Sequence, residues 1–183
     1  VWKKGGYQSE EELFQKLNQP FVPAELRTGS FEWKEGFEEK KNLLIQNTDL
    51  KGCIHNHSTY SDGKNSLEEM ALWCIDHGLQ YFGIADHSKT AQYAGGLYEE
   101  KVEAQWSEID ALNQKLAPFR ILKGIESDIL GDGSLDYADD FIKGFDYVVA
   151  SVHSVLKMDK EMATARLLTA IEYLHTCLLG QCS

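Results

Sequence analysis

The sequence predicts an α/β fold built on a parallel sheet, and three observations predict it. Short apolar runs alternate with longer amphipathic stretches from residue 51 onward. Each run and the stretch after it make one strand–helix unit, and the unit repeats. Unusual polar residues stand where successive apolar runs end. Chains of this kind fold as right-handed βα units. A doubly wound sheet and a (β/α) barrel both begin this way. No glycine-rich phosphate loop follows the first run, which disfavours dinucleotide binding.

The elements follow in order. Ser9-Glu10-Glu11-Glu12 opens a short helix, with Ser9 as cap and Leu13, Phe14 and Leu17 as its apolar side. Pro20 and Pro23 then hold the chain extended. Gly29-Ser30 marks a turn, and the charged run Glu35 to Asn42 reads as another short helix. Gly52 to His57 is the first strand. Leu67 to His77 is an amphipathic helix closed by Gly78, with Leu67, Met70, Ala71, Cys74 and Ile75 inward. Tyr81 to Asp86 is the second strand. Glu99 to Leu116 is a long helix using Val102, Trp106, Ile109, Leu112 and Leu116. Phe119 to Glu126 is the third strand. A short helix covers Tyr137 to Phe141, and Phe145 to Val152 is the fourth strand. Met158 to Leu174 is the last helix, and Thr176 to Leu179 is a fifth strand.

Composition narrows the class. The chain has 183 residues, 43% hydrophobic and 26% charged, a globular rather than disordered balance. That length suits one domain with a short appendage: residues 1–50 as a linker segment and 51–183 as the main body. No run reaches 18 apolar residues, so a membrane-spanning helix is not expected. The opening Val1-Trp2-Lys3-Lys4-Gly5 has neither an initiator Met nor a signal-peptide apolar region, so a piece of a longer, cytoplasmic chain is expected. The net charge of −11 and the lack of a basic stripe offer nothing for phosphate affinity. Trp33, Trp73 and Trp106 read as fillers of core or linker gaps. The four cysteines form no CxxC, which argues against a zinc ribbon. Cys53 and Cys74 read as free core thiols.

The polar residues at the strand ends carry the functional information. His55 and His57 end the first strand, Asp86 and His87 follow the second, Glu126 closes the third and His153 follows the fourth. Ligand sites of parallel α/β sheets lie at the C-terminal strand ends. Four of the six histidines therefore converge on one rim; His77 and His175 do not. In a strand, residues i and i+2 share a side, so His55 and His57 could chelate one ion. The ordinary alternative is a set of hydrogen-bonded histidines at a sheet edge. Asp62, in a Ser-Asp-Gly turn, is either a turn former or a partner of His87 for another ion. Asp86 reads as an orienting group for a histidine rather than a ligand. Asp128 and Asp132 are weaker candidates, and Lys89 and Lys157, which flank the site loops and could hold a phosphate, read by default as solvated lysines. Clustered carboxylates require compensating cations. Divalent ions would supply them and would also polarise a phosphate. Metal-assisted phosphoester hydrolysis follows, with amide or lactone hydrolysis open on the same grounds.

Four segments carry a resemblance: His55 to Gly63, Ile84 to Ser88, Gly124 to Leu130 and Ala150 to Ser154. In that order they resemble the polymerase and histidinol phosphatase (PHP) family, above all the C-terminal PHP domain of bacterial and archaeal family X DNA polymerases. Phe21 to Arg27 looks like the segment that joins the polymerase part to that domain. The resemblance implies a distorted (β/α)7 barrel, present here with about five strands. It implies zinc, manganese or iron, up to three ions in a complete domain and fewer here. On this chain His55, His57 and Glu126 would ligate one ion, Glu126 and His153 a second, and Asp62 and His87 a third. His55, His57, Glu126 and His153 would be the catalytic set. The implied activity is 3'-5' exonuclease and 3'-phosphatase action on DNA ends in repair, with metal-bound hydroxide as the attacking group. The alternatives are a catalytically impaired module that supports a polymerase, and a small-molecule phosphatase such as histidinol phosphatase.

Where the family supplies a later histidine after Leu-Gly, this chain has Leu179-Gly180-Gln181. A last-strand Asp-x-His has no counterpart. The sequence thus predicts a truncated domain, weak or partial metal occupancy and an exposed sheet edge through which copies could associate.

Overall fold

The computed structural model describes residues 6–27, 29 and 42–182. Ser30, Trp33 and the helix expected from Glu35 lie outside them, and Asn42 sits in a turn. The chain divides into two compact units, residues 1–49 and 50–183.

In the first unit, α1 spans Glu10–Lys16. The Ser9 hydroxyl accepts from the Glu12 amide at 3.3 Å, satisfying one of the orphan donors of the first turn. Glu12 does not reach back to Ser9; its carboxylate accepts from the Gln8 amide at 2.8 Å. Arg27 closes the turn after Pro23 by a bidentate pair with Glu10, at 2.6 and 3.1 Å. The pair is half exposed, and such pairs contribute about 0–1 kcal/mol.

The second unit alternates as expected: β1 (Gly52–Asn56), α2 (Leu67–Asp76), β2 (Tyr81–Ile84), α3 (Glu99–Lys115), β3 (Arg120–Asp128), α4 (Asp139–Ile142), β4 (Tyr147–Val152), α5 (Lys160–Glu172) and β5 (Leu178–Cys182). Among the described residues, five strands pair side by side in sequence order, all parallel, as a curled half-barrel. β3 runs two residues beyond Glu126 because Ser127 and Asp128 keep pairing with Ala150 and Ser151. β5 begins at Leu178, later than the expected Thr176.

Strand periodicity decides which side chains meet the helices. Phe82 and Ile84 of β2 and Ile121 of β3 pack with Leu67, Ala71 and Cys74 of α2 and with Ile109 and Leu112 of α3. Farther along the sheet, Ile125, Val148, Ala150 and Val152 pack with Val102, Ile142 and Ala170. Each fully buried aliphatic side chain contributes about 1.5–3 kcal/mol, so these two clusters hold the sheet against its helices. The intervening positions face the other way. Ala85, Tyr147 and Val149 form a small cluster there with Leu122, and Glu126 lies on the same side by the period of two.

α2 starts with a reciprocal capping box between Ser66 and Glu69 and ends at His77, where Gly78 takes a left-handed φ of 78°. Two expectations for this helix fail. Trp73 is not core: it is 58% exposed and stacks on His77, ring centroids 3.8 Å apart. Ile75 is exposed too. At 100° per residue, positions 73 and 75 fall off the stripe set by Leu67, Ala71 and Cys74. Cys53, Cys74 and Cys177 are free thiols, with Cys74 buried. Among the described residues, no helix is long and apolar enough to cross a membrane.

Candidate metal centre

The rim at the C-terminal strand ends brings together all six residues singled out as ligands. At its centre is the Glu126 carboxylate, 3% exposed. Four imidazoles surround it. His55 Nε2 lies 3.2 Å from Oε1 and His153 Nε2 3.4 Å from the same oxygen. His87 Nδ1 lies 3.0 Å from Oε2 and His57 Nε2 3.4 Å from it. Asp62 joins from the turn after β1, with Oδ1 3.0 Å from His57 Nδ1 and Oδ2 3.6 Å from His87 Nε2. Three groups of candidate ligand atoms result, each within 4.8 Å: His55–His57–Glu126, His57–Asp62–His87 and His87–Glu126–His153.

Each residue reaches this point by a local rule, and one of them differs from the sequence argument. His87 and Asp86 are neighbours on an extended chain, so they face opposite sides. His87 bridges to Glu126 on the inner side. Asp86 faces α3. By plain alternation His55 would share the side of Cys53, which packs against α2 and α3. It does not, because β1 is irregular between Cys53 and Asn56 and His55 has φ of 62°. The i, i+2 reading of His55 and His57 on a regular strand is therefore corrected: a left-handed residue turns the His55 side chain into the site. Such a conformation costs roughly 1–3 kcal/mol outside glycine. The Tyr147 hydroxyl accepts from the His55 amide at 3.2 Å and donates to the Ile84 carbonyl at 2.8 Å, bracing the kink from below.

Charge follows from these contacts. Burial alone would raise the Glu126 pKa, but hydrogen bonds from His153 and the Ser151 hydroxyl, with the nearby His87, hold it down at about 2. Glu126 is thus an anion at neutral pH. Burial pushes His87 below its usual pKa, which keeps it neutral and able to donate a lone pair. The hydrogen bond to Glu126 raises His153, so an ion binding there competes with a proton.

The donor set fits divalent ions. His87 Nδ1 lies near Glu126 by distance but outside hydrogen-bonding geometry, and the buried Nδ1 atoms of His87 and His153 have no hydrogen-bond partner. Buried polar atoms are normally partnered, and a bound ion would satisfy these two. Imidazole nitrogens with carboxylate oxygens suit zinc, manganese or iron.

The loops carrying these ligands are pinned by groups the sequence reading placed elsewhere or missed. Asp86, fully buried, does not touch a histidine. It accepts from the Ser58 amide (2.8 Å), the Ser58 hydroxyl (2.6 Å), the Ser61 hydroxyl (2.5 Å) and Gln105 Nε2 (2.6 Å). Asp128, also fully buried, accepts from the His153 amide at 2.8 Å and the Ser154 hydroxyl at 2.6 Å. Arg166 on α5 is 4% exposed and donates to the carbonyls of Ile129, Leu130, Ser154 and Val155, tying the ends of β3 and β4 together. Gln105 had a readable signal, a polar residue on the apolar side between Val102 and Ile109. Arg166 had none. The remaining candidates sit apart. Asp132 caps its own turn through Ser134, Lys89 pairs with Glu99 at 2.7 Å, and Lys157 is exposed.

Parallel strands that end in this His–Asp–Glu cluster define an α/β domain with a candidate metal centre at its rim, and comparison with known families gives its class. A model described as PHP domain matches residues 54–180, and the chain belongs to that family. It is similar to the DNA polymerase/3'-5' exonuclease PolX of Bacillus subtilis, with 42% identity over 174 residues, 95% of this chain and 30% of the relative. It is also similar to a probable phosphatase of Acetivibrio thermocellus, 29% identical over 103 residues, 55% of this chain and 40% of the relative. A probable phosphatase of Thermoanaerobacter sp. is 29% identical over 132 residues, 69% of this chain and 51% of the relative. The chain thus spans less than two thirds of each relative's length.

Proposed function

We propose that this chain is the phosphoesterase part of a family X DNA polymerase and hydrolyses DNA 3' ends, as a 3'-5' exonuclease and 3'-phosphatase in cytoplasmic DNA repair. The observation that carries the reading is the Glu126 carboxylate ringed by four imidazoles within 3.4 Å at the strand ends. Similarity to a relative named for both polymerase and 3'-5' exonuclease supports the DNA substrate. Residues 1–50 are then the connection from the polymerase part, and 51–183 the first portion of the PHP domain.

In this reading His55, His57 and Glu126 hold one divalent ion, Glu126 and His153 a second, and Asp62 and His87 a third. Zinc, manganese or iron suits these donors. Bound ions would neutralise phosphate charge and acidify a water. The chain's own part is positional. Ser151 fixes one Glu126 oxygen, Asp62 fixes the His57 ring, and the His55 kink brings its imidazole to Glu126. His55, His57, Glu126 and His153 form the catalytic set, and no protein nucleophile is required.

A second reading, a phosphatase for small phosphate monoesters, is favoured by the relatives named probable phosphatases. Substrate choice separates the two. With added manganese the chain is expected to release phosphate from an aryl phosphate and from a 3'-phosphorylated oligonucleotide, the second with the higher kcat/KM. His55→Ala should remove both activities. Preference for the small ester would establish the second reading. No turnover of either substrate with manganese, zinc or iron would leave a non-catalytic module.

A further inference from the structure

One aromatic ring beside the centre remains without a role. Tyr93 lies in a single 3-10 turn, Gln92–Ala94, on the connection from β2 to α3. Its ring centroid is 6.3 Å from that of His87, and the residue is 75% exposed. The turn that carries it is tightly fixed. Ala91 and Ala94 on either side are buried. The amides of Ala91, Ala94 and Gly96 donate to the carbonyls of Ser88 and Ala91 at 3.0–3.1 Å. A side chain at Gly96 would run into the Ser88 carbonyl, so that close approach requires glycine. Just before the turn, the Thr90 amide and hydroxyl are held by Asp136 at 2.6 and 2.5 Å.

A large aromatic side chain held mostly in water by a rigid turn gains little for the fold, since most of its apolar surface stays wet. Beside a phosphate-handling centre it gains when a flat group covers it. A nucleobase is such a group, and aromatic–base stacking tolerates any base because each has a π-face. The 6.3 Å between the His87 and Tyr93 rings is of the order of the span from a phosphate to the base of its own nucleotide. With a net charge of −11 the chain has little Coulombic hold on DNA, which leaves stacking and bound ions as the sources of affinity.

We infer that Tyr93 is the stacking platform for the terminal base of the DNA strand whose phosphate enters the metal centre. This rests on the DNA-end reading above and adds the residue that distinguishes a nucleotide from a plain phosphate ester. Tyr93 is a substrate-binding residue here, and its ring rather than its hydroxyl does the work.

The test is binding of a 5'-fluorescein, phosphorothioate-linked trinucleotide by fluorescence anisotropy, with either thymidine or an abasic residue at the 3' end. The unmodified chain should bind the thymidine probe about tenfold tighter than the abasic one. Tyr93→Ala should erase that difference while leaving abasic affinity in place, and Tyr93→Phe should keep it. An unchanged base preference in Tyr93→Ala, equal loss for both probes, or no binding of either probe by the unmodified chain would each overturn the inference. Failure of the phosphoesterase reading shows itself separately, as absent aryl phosphate hydrolysis in the unmodified chain.

Discussion

Glu126→Gln is expected to cost the chain its bound ions and to lower phosphoesterase turnover by ~10³-fold or more, the scale on which metal-derived charge stabilisation acts. The substitution keeps the size of the side chain and an oxygen for the Ser151 hydroxyl. It removes the charge of the carboxylate that lies within 3.4 Å of all four imidazoles, those of His55, His57, His87 and His153. An amide oxygen is a poor ligand for two ions at once, so two of the three candidate groups lose their carboxylate together. Elemental analysis and turnover should fall in parallel. Retained ions with retained turnover would show that Glu126 is not the hub. The metal-free protein offers a second reading of the same charge. The Glu126 pKa is depressed from 4.5 to about 2. A depressed carboxylate stabilises the fold above its unfolded pKa and loses that contribution as pH falls through its folded pKa. The stability gap between the metal-free protein and its Gln variant should therefore be widest above pH 4.5 and close toward pH 2.

Asp86→Ala should be the most destabilising single change at the rim, with a loss of about 3 kcal/mol or more, the cost of stranding several donors of a buried charged acceptor. Four donors converge on this carboxylate from the loop after β1 and from α3. That loop carries His57 and Asp62, so ion affinity should drop with stability although Asp86 touches neither residue. Gln105→Leu removes only the donor from α3 and should cost much less, because the loop keeps its three bonds. Urea unfolding of the metal-free variants, followed by manganese titration, measures both effects. An Asp86→Ala chain as stable as the parent would mean that the two serines find water instead.

The position of these groups was legible for a physical reason. Apolar runs such as Tyr81–Ile84 and Tyr147–Val152 are buried strands, and a polar residue right after such a run must stand at its C-terminal end. Sequence order then fixes a common rim, because parallel βα units all end on the same side. What failed to show follows from the same physics. Alternation predicts the side of a residue only while the strand stays regular, and β1 breaks at His55. Asp86 reads as an orienting group for a histidine, yet its buried carboxylate is taken up by Ser58, Ser61 and Gln105, and adjacent residues on an extended chain such as Asp86 and His87 point apart. Arg166 is separated from its carbonyl partners by up to 37 positions, and an arginine on a helix normally reads as solvated. Trp73 has the composition of core but the angular position of surface. The side of the sheet, the phase of the helix and the long-range donor each need three dimensions.

The most direct measurement is anomalous scattering from crystals of the chain grown with manganese or zinc. The structure predicts a strong peak at coordination distance, about 2.0–2.2 Å, from Glu126 and the imidazoles of His55 and His57. Weaker peaks are expected in the other two ligand groups. Full metal loading with no peak near Glu126 would contradict the account.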